Sequence, residues 1–392
     1  MAYSPLVTLA LTVYLGGILL IAYAMLGGPS PFHEWLTETV PSKLLNLLGP
    51  VHASKLRSCY DYVVNKPNPL MQVVYLCVVT TAYALMIYAG YPLIGSYSPH
   101  MTNPYLSSDA HKVAGYATFA ACYLTFYKAC ATPAGDLNEA TLDRYDNYKY
   151  DNVLYTERIC KSTGFRKAAR SKYCRTTSVQ VPRFDHFCVW LNNSVGEENY
   201  RAFLLFLAVH TWMLGYGCYA SAQLIRHVVE RDNLMTARFY DGRTDSYIVG
   251  GYYTVFRYLT YAHLPLVGLL LLSGVMGVVM VGFLAFHAYI ATRGMTTNEY
   301  FKWRDIRSWH KAARKRYEGA EEGKRGPPFD RARAKYKTED DAPVGCAGSD
   351  PSQVNVDDGQ YEREDLVHDP GPMPLNVYDR GFLENWGEVL WP

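Results

Sequence analysis

Long stretches without a single charged side chain constrain this chain more than any other feature. Residues 5–27 are uncharged and, as a helix rising 1.5 Å per residue, run about 34 Å, enough to cross a hydrocarbon core. A secretory leader is the rival reading of such a stretch. It is disfavoured because no basic residue precedes the apolar run, the first charge being Glu34, and because the run is too long. Residues 70–94, 113–127, 202–225 and 264–292 repeat the pattern, the third run being short and bracketed by Lys112 and Lys128. The last run holds Ser273-x-x-x-Gly277 with Gly268, Gly274 and Gly282, small residues that allow close helix packing in lipid or are merely tolerated there. The expectation is a mainly α, polytopic membrane protein of about five transmembrane helices.

Composition enters through its segregation. Only 19% of the residues are charged, and 38 Lys+Arg balance 36 Asp+Glu to a net +2, which excludes a strongly basic nucleic-acid binder. The 34 tyrosines suit a membrane–water boundary. Nine scattered cysteines, three of them (Cys77, Cys122, Cys218) in apolar stretches, argue against a secreted disulfide framework. The polar blocks then order themselves: N-terminal helices over 1–127, a compact module over 128–200 between the third and fourth spans, and two further spans within 201–292. A basic tail follows over 293–341, then a Pro/Gly/Ser/Asp-rich linker over 342–374 and an aromatic, ordered C-terminus over 375–392. Residues 293–337 carry fourteen Lys+Arg against six Asp+Glu, which marks the cytoplasmic or matrix side, and two spans after the module place both on that face.

Within the module, Phe184-Asp185-His186-Phe187-Cys188 brings a carboxylate, an imidazole and a thiol together in four residues. A neighbouring imidazole activates a thiol, and a carboxylate on its other nitrogen fixes the tautomer. The same spacing also occurs among ordinary surface and packing residues.

The surroundings of that triplet resemble the Asp-His-His-Cys module of the DHHC-type membrane protein S-acyltransferases. Cys160 and Lys167-Ala168-Ala169-Arg170-Ser171-Lys172-Tyr173-Cys174 are similar to the family's Cys-x-x-Cys and Lys-Pro-x-Arg-Ser-Lys-His-Cys runs. Trp190, Asn192, Asn193, Gly196, Asn199 and Phe203 stand where the family has the same residue types. Thr296-Thr297-Asn298-Glu299 matches its Thr-Thr-x-Glu motif, and Asn376, Tyr378, Gly381 and Asn385 resemble its C-terminal motif. The resemblance spans residues 130–392. It implies that Cys188 is the nucleophile taking a fatty acyl group from acyl-CoA, His186 its base and Asp185 the group orienting His186. Thr296, Thr297, Glu299, Trp190, Asn193, Asn376, Tyr378 and Asn385 become supporting residues. The implied partners are the lipid bilayer and membrane proteins with juxtamembrane cysteines, in an endomembrane such as the ER or Golgi.

One departure stands out. The family module holds two structural zinc ions, each on three Cys and one His. The corresponding positions here are Cys160, Thr163, Tyr173 and Gln180, and Cys174, Thr177, Phe187 and Ser194. One ligand of four survives in each set, and structural zinc needs thiolate or imidazole at all four, so no metal is expected. Aromatic Tyr173 and Phe187 suggest that small apolar cores replace the metals. Two readings follow: an acyltransferase that works without zinc, or a catalytically silent subunit of a large membrane complex, with the mitochondrial inner membrane as its alternative address. Retention of Asp185, His186 and Cys188 favours the first, and the tyrosine excess the second.

Other features are weaker. Lys172, Arg175 and Arg183 are candidates for the CoA phosphates or a solvated basic face, and Arg314-Lys315-Arg316 for lipid headgroups or plain solvation. His210 and His287 lie inside apolar runs, where a bond to a helix carbonyl is the ordinary role and function the sharper one. Cys130 and Cys346 are possible acylation sites or idle thiols. There is no phosphate-binding Gly-rich loop, no supported Ser-His-Asp set and no internal repeat.

Overall fold

The computed structural model describes residues 69–94, 106, 109–242, 244–320, 325–326 and 367–391. The expected span at 5–27, Cys346 and most of the 342–374 linker lie outside the described residues. Contacts divide the chain into two compact units, one of residues 1–63, 68–131 and 202–286, the other of residues 64–67, 132–201 and 287–392.

The first unit is helical. Helix α1 spans Leu70–Ile94 and α2 spans Asp109–Ala131. After the short α3, Leu142–Tyr145, in the second unit, come α4, Tyr200–Arg231, α5, Tyr252–Ala262, and α6, Leu264–Thr292. The core of the first unit packs Leu224 and Val228 of α4 against Val255 and Leu259 of α5 and Leu266 and Val267 of α6. Gly274 and Gly277 face Cys218 and Leu214 of α4 at ordinary contact distance, so an alanine would fit at either position. Simple tolerance of glycine accounts for both.

The expectation of about five transmembrane helices is corrected. Among the described residues two helices, α4 and α6, are long and apolar enough to cross a membrane. Helix α2 forms where a third span was expected, but Asp109 and Lys112 occupy its first turn and Lys128 its last. The 15 uncharged residues between Lys112 and Lys128 extend about 22 Å, short of the roughly 30 Å hydrocarbon thickness. The placement of the module between a third and a fourth span falls with that count.

The second unit is built on two small antiparallel hairpins. Strand β1, Lys172–Cys174, pairs with β2, Val179–Val181, so that Tyr173 faces Gln180. Strand β3, His186–Cys188, pairs with β4, Asn193–Val195, with Phe187 opposite Ser194 and Cys188 opposite Asn193. Each is closed by four residues whose last, Ser178 or Asn192, takes the left-handed conformation at φ 57° and 50°. Asn tolerates that region better than most residues. A third hairpin, β5 (Arg238–Asp241) with β6 (Ser246–Val249), belongs to the α4–α5 connection in the first unit. Helix α7, Thr297–Gly319, follows α6 after four residues. The parallel pair β7, Arg325–Gly326, with β8, Val367–His368, and helix α8, Phe382–Leu390, complete the chain.

One residue ties these pieces together. Arg170 is fully buried, at φ 64°, and its guanidinium forks onto Glu299 of α7 with Nε–Oε1 and Nη2–Oε2 distances of 2.7 Å each. Its remaining hydrogen bonds go to the Gly294 carbonyl at 2.9 Å and to Glu388 of α8 at 3.1 Å. The rings of Tyr148 and Tyr378 lie 4.8 and 4.7 Å from the guanidinium carbon. Its own carbonyl accepts from the Phe184 amide, one residue before Asp185. The end of α6 is satisfied in the same place. Asn385 donates to the Thr292 carbonyl and Asn376 to that of Arg293, each at 2.9 Å, covering carbonyls that a helix end leaves unpaired. Gly294 is required there: at φ 60°, a Cβ would fall 2.3 Å from the Tyr378 carbonyl.

A buried carboxylate stripped of its only bidentate partner costs about 3–5 kcal/mol. Arg170→Met therefore lowers the thermal midpoint of the detergent-solubilised protein sharply. The double variant with Glu299→Met recovers part of that loss, which thermal scanning of the three proteins checks.

Candidate active site

On β3 the alternation of a strand sends His186 and Cys188 to one face and Phe187 to the other. Phe187 packs against the small core of Ala134, Cys174, Val181 and Phe184, which holds the strand down from behind. Asp185 immediately precedes the strand and is anchored by its amide to the Val195 carbonyl at 2.9 Å. Its buried carboxylate takes a hydrogen bond from His186 Nδ1 at 2.7 Å and another from the Thr297 amide at 2.6 Å.

That second bond comes from the first turn of α7. Thr296 caps this helix with its side chain, and Glu299 returns the bond to the Thr296 amide at 2.9 Å, a reciprocal capping box. An exposed amide at a helix N-terminus favours an anion, so the helix holds Asp185 as a carboxylate. The Thr297 hydroxyl, in contrast, has no hydrogen-bond partner among the described residues. The main chain at Thr297 meets Asp185; its side chain contributes no bond.

Burial opposes charge on Asp185, but the His186 hydrogen bond and charge, with the Thr297 amide, hold it below the usual carboxylate range. Burial likewise opposes a charged His186, yet hydrogen bonds to Asp185 and Cys188 and the charges on both outweigh it and raise its pKa to about 10. The ring is 27% exposed, so it is reachable from one side. Behind it stands His287 of α6, ring centroids 6.0 Å apart, whose Nδ1 lies 3.1 Å from the Tyr200 hydroxyl. His210 takes the ordinary role: its Nδ1 bonds the Phe206 carbonyl of its own helix at 2.7 Å.

The supporting residues are spread around this centre. Asn193 donates to the Thr132 carbonyl at 2.8 Å from the position opposite Cys188. Trp190 is exposed at the hairpin turn. Tyr378 is buried and bonds the Lys149 carbonyl at 2.9 Å, and Asn376 and Asn385 hold the end of α6. Of the basic candidates, Arg183 is buried and committed to Glu388 at 3.3 Å, and Lys172 bonds Asn298 at 3.3 Å, while Arg175 is exposed. Arg314 is engaged by the Gly371 carbonyl at 2.8 Å and by Asp369. Sequence reasoning missed Glu388, where Arg170, Arg183, Arg380 and Tyr148 converge. Burial would raise the pKa of its carboxyl, but Arg183 and Arg170 hold it below the ordinary value. A lone acid in an aromatic C-terminal helix carries no signal of such a role.

The two positions that correspond to zinc sites do not fit the metal. In the first, the Cys160 thiol donates to the Gln180 side-chain oxygen at 3.4 Å, and the Gln180 amide donates to Ser171 at 2.8 Å. Burial opposes ionisation of Cys160, but bonds from Thr163 and nearby amides lower its pKa. In the second, Cys174 sits in the apolar core with Phe187, beside the hydroxyls of Ser194 and Thr177. One thiol among amide, hydroxyl and aromatic groups cannot supply four zinc ligands. Among the described residues no cluster of three or more His, Cys, Asp or Glu side chains can hold a metal. The first cradle is thus a hydrogen-bonded cluster where an apolar core was expected, and the second is an apolar core with a hydroxyl lining.

Residues 154–304 match the family described as DHHC palmitoyltransferase. Palmitoyltransferase SWF1 of Yarrowia lipolytica is 32% identical over 251 residues, 63% of this chain and 61% of that protein. Palmitoyltransferase swf1 of Schizosaccharomyces pombe is 25% identical over 345 residues, 87% and 81% of the two chains. Palmitoyltransferase ZDHHC4 of Mus musculus is 31% identical over 188 residues, 47% and 54%. The aligned stretches thus cover from about half to four-fifths of these relatives' own lengths.

Two outcomes follow. Purified protein carries well under one zinc per chain by elemental analysis, and a strong chelator leaves its thermal midpoint unchanged; two zinc ions per chain would contradict the donor chemistry. Because the folded pKa of His186 lies above its unfolded value of 6.5, its stabilising contribution is complete below that value and disappears as pH rises through about 10. The thermal midpoint therefore declines from about pH 6.5 to about pH 10 and levels off above, and His186→Asn removes that decline.

Proposed function

We propose, for a chain whose residues 154–304 belong to the DHHC palmitoyltransferase family, that it is a protein S-acyltransferase of the membrane that works without structural zinc. The observation that carries this reading is the order of contacts Thr297 amide, Asp185, His186, Cys188, in which a helix N-terminus holds the acid, the acid holds the imidazole and the imidazole serves the thiol. An imidazolium beside a thiolate is the pairing that makes a cysteine nucleophilic near neutral pH. With Nδ1 engaged by Asp185, Nε2 is the nitrogen that serves Cys188.

The transfer runs in two thioester exchanges. Cys188 Sγ attacks the carbonyl carbon of acyl-CoA, the bond from that carbon to the CoA sulfur breaks, and the departing sulfur takes the proton held by His186. An acceptor cysteine then gives its proton to His186, attacks the acyl carbon on Cys188 and leaves Cys188 free again. Each step exchanges one thioester for another, so no other reactant is needed. Burial of the acyl chain in lipid contributes about 0.8 kcal/mol per CH₂. The acceptors are cysteines close to the membrane surface of other membrane proteins, and the address is an endomembrane.

Structural zinc performs none of these steps, so its loss is compatible with the chemistry once another interaction holds the hairpins. The rebuilt surroundings of Cys160 and of Cys174, a hydrogen-bonded cluster and an apolar core, support this reading.

Incubated with an alkyne-tagged long-chain acyl-CoA, the protein acquires a hydroxylamine-sensitive label on Cys188, and Cys188→Ser abolishes it. His186→Ala lowers the initial labelling rate by about 10²- to 10⁴-fold, the range of a lost general base. Absence of label on protein that keeps its thermal transition would overturn the proposal.

A further inference from the structure

Helix α8 buries a polar residue, Asn385, and leaves part of its apolar surface outward. At 100° per residue, Asn385 and Val389 share one side and are buried, while Glu388, next to them, reaches Arg170. Phe382, Trp386, Leu390 and Leu383 follow Val389 round about the next third of the helix, Trp386 and Leu390 half-buried and Phe382 and Leu383 exposed, and Glu384 lies beyond them. Phe382 is 60% and Leu383 82% exposed, and Trp391, just past the helix end, is 76% exposed. A surface helix ordinarily buries its apolar stripe and shows water its polar one. Here an amide and a carboxylate face inward and leucine and phenylalanine face outward.

Its attachment indicates what covers that arc. Asn385 holds the Thr292 carbonyl at 2.9 Å, and the Trp386 indole donates to the Thr292 hydroxyl at 3.1 Å. Thr292 is the last residue of α6, one of the two helices long enough to cross a bilayer. The outward arc is therefore fixed at the end of a membrane-crossing helix, the depth at which tryptophans and amphipathic helices settle. Arg201, which donates to the Leu390 carbonyl at 2.8 Å, stands at its end; Arg293 and Arg380 are half-exposed but paired with Asp379 and Glu388. Cations at that position suit lipid phosphates.

We infer that α8 is an interfacial membrane-docking element, with Phe382, Leu383 and Trp391 inserted at the headgroup–acyl boundary of the bilayer that α6 crosses. This surface is independent of the acyl-transfer reading. It grips the module through Glu388 and the bilayer through the opposite arc, so it fixes the module's depth at the membrane.

The test places the photo-crosslinking residue benzoylphenylalanine at Leu383, or at Glu384 as the control, in full-length protein in nanodiscs of phosphatidylcholine with phosphatidylserine. After irradiation, mass spectrometry of the α8 peptide should show lipid adducts at position 383 about tenfold more abundant than at 384. Equal adducts at both positions, or adducts to a second copy or another polypeptide at position 383, would overturn the inference. Both positions are exposed, so the thermal midpoint remains that of the unsubstituted protein and confirms that each variant is folded.

Discussion

The buried ion pair between Arg170 and Glu299 is the interaction on which the second unit depends. Two charges taken out of water are costly, and the attraction compensates only when every donor and acceptor finds a partner. Arg170 meets that condition: a bidentate fork to Glu299, a backbone carbonyl at Gly294, Glu388 and two tyrosine rings surround it. Because Glu299 is also the capping residue of α7, the same pair positions the helix N-terminus that holds Asp185. Because Gly294 follows α6, the pair also ties that helix end to the module. The geometry at Cys188 is thus set by a residue that never touches it.

The departure from the family's metal chemistry takes on a physical explanation in this light. A structural zinc can stabilise a small module by about 10 kcal/mol or more, and short hairpins like β1–β2 and β3–β4 have too little core of their own. Here two different replacements occur. Around Cys160 a thiol, an amide and the Ser171 hydroxyl bond one another, while around Cys174 the strand packs Phe187 against Val181 and Phe184. Outside the hairpins, Arg170 bonds Glu388 of α8, and Asn376 and Asn385 bond carbonyls at the end of α6; the resemblance gives the family these three residues as well.

Much of the site was legible in the chain. The order of Asp185, His186 and Cys188, the Thr296–Glu299 capping pattern and the C-terminal Asn376, Tyr378 and Asn385 all stand out because each depends on local spacing. The membrane count was read less well. Uncharged runs identified α4 and α6, but they also included residues 113–127, the short uncharged middle of α2, a helix charged at both ends. A lack of charge over fifteen residues describes a buried helix as well as a membrane helix. Glu388 was invisible for another reason: its three arginine partners lie 218, 205 and 8 residues away in the chain. No spacing rule reaches that far.

By itself the sequence determined that a carboxylate, an imidazole and a thiol stand within four residues, that the positions matching two zinc sites keep one ligand type each, and that the longest apolar run becomes a helix. These follow from residue type and local periodicity, which are properties of the chain before it folds. Only the tertiary structure decided that a main-chain amide at Thr297, and not its side chain, meets Asp185. It also decided that Arg170 fastens Glu299, Gly294 and Glu388 together and that α8 leaves Phe382 and Leu383 outward. The reason is that the partners of a buried charge, and the face a helix exposes, depend on segments brought together across more than two hundred residues.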